Sequence, residues 1–221
     1  MSNNNKDTLQ ITEIYASIQG ESLYSGHPCT FIRTTGCPLR CRWCDTTYSF
    51  KDGQSMTIDQ IVDEVAKHNI DIVELTGGEP LAEKNTLPLM NRLLEKGYHV
   101  LIETSGHLPI KEIDKRVHII MDVKCPGSNM VHKNDLDNLN HLKPSDEVKF
   151  VLSSKDDFEW TRNFIESNNL TKKAQLSLSP AWGLVKPHKL VEWMLDSQPE
   201  MKVRLNLQIH KYIWSPKLKG V

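Results

Sequence analysis

Residues 36–48, GCPLRCRWCDTTY, hold three of the five cysteines of the chain in one short loop. Cys37, Cys41 and Cys44 stand at the spacing C-x3-C-x2-C, too close together for extended backbone to separate the sulfurs. Such a loop can wrap one compact metal centre. A structural zinc site takes four ligands, usually from two separated pairs, and no second C-x2-C pair and no H-x3-H pair exists in the chain. Three thiolates instead suit a 4Fe-4S cluster whose fourth iron stays open to a small molecule. The rivals are a zinc-binding interaction module and a non-enzymatic iron–sulfur carrier. The remaining cysteines, Cys29 and Cys125, have no partner motif and read as packing residues in a reducing compartment.

Immediately before the loop, CTFIRT at 29–34 reads as a strand that runs into it. Upstream, LQITEIYASI at 9–18 is an extended lead-in ending at Gln19-Gly20-Glu21. Downstream, Thr57-Ile58-Asp59-Gln60 has the form of a capping box, and Ile58, Ile61, Val62, Val65 and Ala66 recur at helical spacing. Strands and helices then alternate. DIVELT (71–76) precedes Gly77-Gly78-Glu79-Pro80 and a helix closed by Gly97; YHVLIET (98–104) precedes Ser105-Gly106; VHIIMDV (117–123) precedes Lys124. EVKFVLS (147–153) leads to a helix at 156–168, AQLSLS (174–179) to Pro180-Ala181-Trp182-Gly183 and a helix after Pro187, and KVRLNLQIH (202–210) is a last strand. This order predicts an α/β fold with a parallel sheet and outer helices. Counted from 29–34, it fits a modified partial (β/α)6 barrel better than eight strands.

Strands of a fully packed parallel sheet are near-continuous apolar runs, and the late ones here are not. Val203, Leu205, Leu207 and Ile209 alternate with Arg204, Asn206, Gln208 and His210; Leu176 and Leu178 alternate with Gln175, Ser177 and Ser179; Lys149 lies between Val148 and Phe150. With helices over the apolar face, the polar set points inward, which predicts a polar lumen holding a polar ligand. Gln208 and His210 are therefore expected in a substrate site, where an amide and an imidazole can match a donor and acceptor edge. Nearly every glycine-rich or polar cluster follows a strand, the end at which barrels build active sites.

The chain has 221 residues, which suits one domain spanning 1–221. Lysine plus arginine number 27 against 28 acidic residues, so neither bulk nucleic-acid nor membrane-surface binding is favoured. The polar start MSNNNKDTLQ is no secretory signal, and no apolar run reaches membrane-spanning length. A cytoplasmic protein is expected.

The cysteine spacing, with Trp43 before Cys44, resembles the signature of radical S-adenosylmethionine (SAM) enzymes, and Gly77-Gly78-Glu79 resembles the glycine-rich motif that holds the SAM amino group in them. Ser17-Ile18-Gln19-Gly20-Glu21, Phe31-Ile32-Arg33, Cys44-Asp45-Thr46, Glu103-Thr104-Ser105-Gly106 and His210-Lys211-Tyr212 together resemble the 7-carboxy-7-deazaguanine synthase family. The resemblance runs from about residue 11 to the C-terminus. It implies conversion of 6-carboxy-5,6,7,8-tetrahydropterin to 7-carboxy-7-deazaguanine with loss of ammonia, on the route to queuosine and other 7-deazapurines. It also implies a lyase with a 4Fe-4S cluster, SAM and magnesium (Mg2+), a homodimer, and an electron donor such as flavodoxin or ferredoxin.

Carried over by position, the resemblance gives Cys37, Cys41 and Cys44 the cluster, Thr46 the magnesium ion, and Ile18, Gln19, Gly20, Glu21, Arg33 and Thr104 the substrate. It surrounds SAM with Trp43, Gly78, Glu79, Ser105 and Gly106, then Asp122, Val123 and Lys124, then Ser179, Pro180, Ala181 and Trp182. The chain departs from the family's pattern at Ser22, often glycine there, and at Asp122-Val123-Lys124, Ser-Pro-Lys in some members. A second enzyme reading with the same cluster spacing is an activating enzyme for a glycyl-radical enzyme, which needs a surface groove for a protein loop.

Overall fold

In the computed structural model, which describes residues 7–197, 201–216 and 218–221, the strand before the cysteine loop is β2 (Pro28–Thr34). Residues 1–6, with the Asn3 to Asn5 tract, and residue 217 of the C-terminal segment lie outside the described residues. The lead-in forms β1 (Thr8–Ile18), antiparallel to β2, and a short β3 (Gln54–Thr57), which the sequence did not signal, pairs antiparallel with β1. Parallel strands then follow β2: β4 (Ile72–Gly77), β5 (His99–Thr104), β6 (His118–Val123), β7 (Glu147–Leu152), β8 (Gln175–Pro180) and β9 (Val203–Leu205). The order β3-β1-β2-β4-β5-β6-β7-β8-β9 makes one open sheet, a partial barrel with a hairpin on one edge.

The predicted capping box is present: Thr57 Oγ1 accepts from the Gln60 amide while the Gln60 side chain accepts from the Thr57 amide, and α1 (Ile58–Ala66) begins there. α2 (Thr86–Glu95), α3 (Lys155–Ser167) and α4 (Pro187–Asp196) complete the outer layer. The alternation is less regular than expected. No helix separates β5 from β6, and only short 3-10 segments separate β6 from β7. The core lies between helices and sheet: Ile61, Val65, Leu89, Leu93, Phe158 and Leu190 pack on Val73, Leu75, Ile102, Phe150 and Leu178. Truncating one of these to alanine costs roughly 2–5 kcal/mol.

The last strand is corrected from 202–210 to Val203–Leu205. β8 ends on Pro180, which has no amide proton to continue the ladder. Asn206 donates to Leu178 O, the Ile209 amide turns to Gly20 O, and His210–Ile213 form one short helical turn, α5. Gln175 is also corrected: it is exposed and its amide donates to Pro144 O, away from the lumen.

Because β1 runs antiparallel to β2, with Ile18 opposite Pro28, residues 19–27 lie where the parallel strands begin. That loop closes the foot of the barrel. The Leu23 amide donates to Glu147 Oε1 (2.9 Å), and Glu147, wholly buried, also meets His118 (2.8 Å) and Arg204 (2.9 Å). Tyr24 seals the adjoining gap, its hydroxyl 2.7 Å from His99 Nε2. The opposite end stays open.

Candidate active site

The cysteine loop is fixed from below by backbone. Gly36 donates to Ser49 O (2.7 Å), Glu79 donates to Gly36 O (2.8 Å), and a Cβ on Gly78 would lie 2.0 Å from that same oxygen. Only glycine permits the two loops to touch. Arg40 closes the outer side by donating to Cys37 O (2.6 Å), and Arg42 N donates to Ser128 O (3.2 Å). Cys37, Cys41 and Cys44 are free thiols, partly buried, facing one cavity of about 610 Å³.

Burial pushes the Cys37 and Cys41 thiols above their ordinary range, while the ammonium of Lys124 pulls both down. Burial disfavours the Lys124 charge, but Asp122 and Cys41 outweigh it and raise the group. Among the described residues no three His, Cys, Asp or Glu side chains converge tightly enough for a single metal ion. Thiolates on three different irons of a cluster stand further apart than the ligands of one ion. The donor set therefore fits a cluster and disfavours zinc.

Around this loop the structure brings together most of the residues expected near SAM. Trp43, Gly78, Ser105, Asp122 and Lys124 line the cavity on one side, and Ser179, Pro180, Ala181 and Trp182 on the other. Asp122 Oδ2 accepts from Lys124 (2.8 Å), whereas its Oδ1 is buried without a partner, an orphaned acceptor such as a polar cofactor would satisfy. Three expected residues are not brought to the cavity. Val123 points into the apolar core because strand neighbours alternate. Glu79 is completely buried, its carboxylate accepting from Thr104 Oγ1 (2.8 Å), the Ser105 amide (2.8 Å) and the Leu81 amide (3.1 Å). It is a latch between two loops. Gly106 packs against Met121.

The positions expected to bind substrate share the same cavity. Ile18, Gln19, Gly20, Glu21, Arg33, Thr104, Gln208 and His210 all line the cavity. Gly20 lets His210 pack against its backbone, since a Cβ there would lie 2.3 Å from His210 Nδ1. Lys149, 4% exposed, donates to Glu21 Oε2 (3.0 Å) and to Glu103. Burial opposes its charge, but Glu103 and Glu21 raise it well above the ordinary lysine range. Burial likewise works to raise Glu21; Lys149, His210 and the Gln208 amide overcome it and hold the carboxyl low. His210 is lowered, chiefly by burial, against the pull of Glu21.

Arg33 is already partly engaged: Nε pairs with Glu13 (2.7 Å) and Nη2 with the Tyr15 hydroxyl (2.8 Å), while Tyr48 donates to the same Glu13 oxygen (2.8 Å). Burial pushes the Tyr15 hydroxyl up to about 12. Thr46 lines the cavity with Oγ1 3.7 Å from Cys44 Sγ, and its neighbour Asp45 is held by Lys211 and Gln208. Residues 215–216 and 218–221 also line the mouth, with Lys219 over the Tyr48 ring at 4.2 Å.

Residues 31–129 match the model of the Radical SAM superfamily. The chain is 46% identical to the 7-carboxy-7-deazaguanine synthase of Koribacter versatilis over 96% of its own length and 100% of the relative's, and 42% identical to that of Chlorobaculum tepidum over 96% and 97%. The chain belongs to the 7-carboxy-7-deazaguanine synthase family. Its fold is similar to the crystal structure of QueE from Escherichia coli, with a TM-score of 0.75 at 21% identity over 91% of this chain and 94% of that one. Membership brings the 4Fe-4S cluster and SAM as resident cofactors. No described helix is long and apolar enough to cross a membrane.

Sequence reasoning missed several residues that line this family member's lumen, Tyr15, Thr76 and Glu74 among them. Glu74, 1% exposed, lines the cavity from β4. Its signal was available as a lone carboxylate between the apolar residues of DIVELT.

Proposed function

We propose that the chain converts 6-carboxy-5,6,7,8-tetrahydropterin to 7-carboxy-7-deazaguanine with loss of ammonia, a net elimination in queuosine and 7-deazapurine biosynthesis. What carries this reading is that the cysteine loop and a polar lumen open into one cavity of about 610 Å³, within the range of small-ligand sites, in a chain similar to a named synthase over 96% of its length.

Bound, the cluster and SAM supply the radical chemistry that takes hydrogen from an unactivated carbon. The chain's own residues do the rest. Cys37, Cys41 and Cys44 hold the cluster, and Gly78, Asp122 and Ser179 lie where SAM would be held. Lys149, Glu21 and Gln208 form a braced polar wall that orients a heterocycle toward the mouth. The C-terminal residues over Tyr48 help to exclude water. Thr46, whose hydroxyl contacts only Cys44 among the described residues, is the proposed magnesium ligand, with substrate oxygens and waters completing the ion's shell. A flavodoxin- or ferredoxin-type reductant and a homodimer belong to the same proposal.

The C-terminal segment across the mouth leaves less room for the protein loop that a glycyl-radical activating enzyme must admit. The experiment is an anaerobic incubation of cluster-loaded protein with SAM, reductant and the pterin. Ammonium release with a deazapurine chromophore is the expected result; 5′-deoxyadenosine without either would remove the pterin reading.

A further inference from the structure

The floor of the lumen carries three carboxylates, Glu21, Glu74 and Glu103, around the single ammonium of Lys149. Their oxygens are unequally satisfied. Glu21 Oε2 accepts from Lys149 and Oε1 from Gln208 (2.9 Å); Glu103 Oε1 accepts from Lys149 and Oε2 from Thr76 (3.1 Å). Glu74 Oε2 accepts from Gln19 Nε2 (2.7 Å), and Oε1 has no partner among the described residues. It is the one floor carboxylate oxygen left over, on a side chain 1% exposed that borders the cavity. A buried acceptor in this position awaits a ligand.

Gln19 cannot be the group that reads the ligand with its side chain. Its Oε1 already accepts from the Glu21 amide (2.6 Å) and the Ser22 amide (2.9 Å), and its Nε2 is spent on Glu74. It is a positioning residue that clamps Glu74 in one rotamer and ties it to the loop closing the barrel foot. Burial, then the nearby Glu103 charge, raises the Glu74 carboxyl to about 8, which is the state of an acid without a cation of its own. Because Oε2 faces the Gln19 amide, a proton on Glu74 sits on Oε1. The free oxygen can thus donate to a ring nitrogen as the acid or accept from an amino group as the anion.

We propose that Glu74 reads the 2-amino-pyrimidine end of the substrate, its Oε1 accepting from the exocyclic amino group, with Gln19 as its clamp. This rests on the pterin reading above. It sets a specificity above about pH 8, where Glu74 is the anion: a ring with oxygen in place of the 2-amino group offers an acceptor where the anion needs a donor, and such a mismatch leaves both groups unpaired. Glu21, Glu103 and Lys149 are saturated by one another and serve as the frame.

The test uses cluster-loaded protein with SAM, titrated anaerobically above about pH 8, where Glu74 is ionised, with fluorescent 6-carboxypterin and with 6-carboxylumazine, which carries oxygen at that position. The parent should bind the pterin about 10–100-fold more tightly than the lumazine, and Glu74→Gln, isosteric with the protonated acid, should bring the two within a few-fold at unchanged iron content. Gln19→Leu should lose part of the discrimination while keeping lumazine binding. A Glu74→Gln protein that discriminates like the parent overturns the assignment of Glu74 alone. A parent that binds neither ligand overturns the pterin reading and this inference with it.

Discussion

At the mouth of the lumen the chemistry-bearing groups sit on loops that follow strands: the cysteines after β2, Gly78 after β4, Ser105 after β5, Lys124 after β6. At the floor they are side chains of the strands themselves, Glu74, Glu103 and Lys149, braced by the loop 19–27 from the far end. The mouth is held by backbone contacts such as Glu79 N to Gly36 O, the floor by buried charge. Loops can accommodate a cofactor, whereas strand-borne groups are rigid enough to select one substrate.

The largest effect that separates the two regions is loss of the mouth alone. Cys41→Ala should abolish cluster iron and SAM cleavage while the floor still folds, and Cys125→Ala, whose thiol is buried beside Thr161, should keep both; iron analysis and near-UV circular dichroism read the difference. Full iron in the Cys41→Ala protein would dissolve the distinction. Next, Lys149→Met leaves Glu21 and Glu103 facing each other without a cation. Breaking a buried pair from one side costs about 3–5 kcal/mol, so the urea midpoint should fall sharply, and an unchanged midpoint would mean that the floor is not held by charge.

Thr46→Val probes the boundary between the regions. Magnesium stimulation of turnover should disappear with cluster content and SAM binding intact, and a valine protein stimulated like the parent would take Thr46 out of the site. A further effect, spread over several pH units, is on stability against pH. Glu74 is neutral in the folded chain up to about 8, against an ordinary value of 4.5. Between those values the folded state holds a proton that the unfolded state has released, so this group makes the protein less stable as pH rises through the window. Glu74→Gln should therefore gain in melting temperature over the parent from about pH 4.5 to about pH 8, and a constant difference would show Glu74 ionised throughout.

The mouth was legible in the sequence because its parts are short and contiguous: a cysteine spacing and a Gly-Gly turn. The barrel followed from strands whose apolar residues face helices. The floor was half legible. Lys149 betrayed itself as a charge in a predicted central strand, but its partners Glu21 and Glu103 come from distant segments, and no local pattern announces such a meeting. The overrun of the last strand has a similar cause, since Asn206 to His210 keep a two-residue period while Pro180 on the neighbouring strand ends the ladder. Val123 shows the reverse case, where a run of three matched residues hid the strand alternation that sends the middle one into the core.

The central claim is that one lumen holds a cofactor at its mouth and a pterin at its floor. The direct measurement is an anaerobic crystal structure of the cluster-loaded protein with SAM and 6-carboxypterin. The account predicts SAM between the cysteine loop and Ser179 to Trp182, and the pterin's amino end at Glu74 with its carboxylate toward Thr46. A pterin bound outside the lumen, with Lys149 still paired to Glu21 and Glu103 beneath solvent, would contradict it.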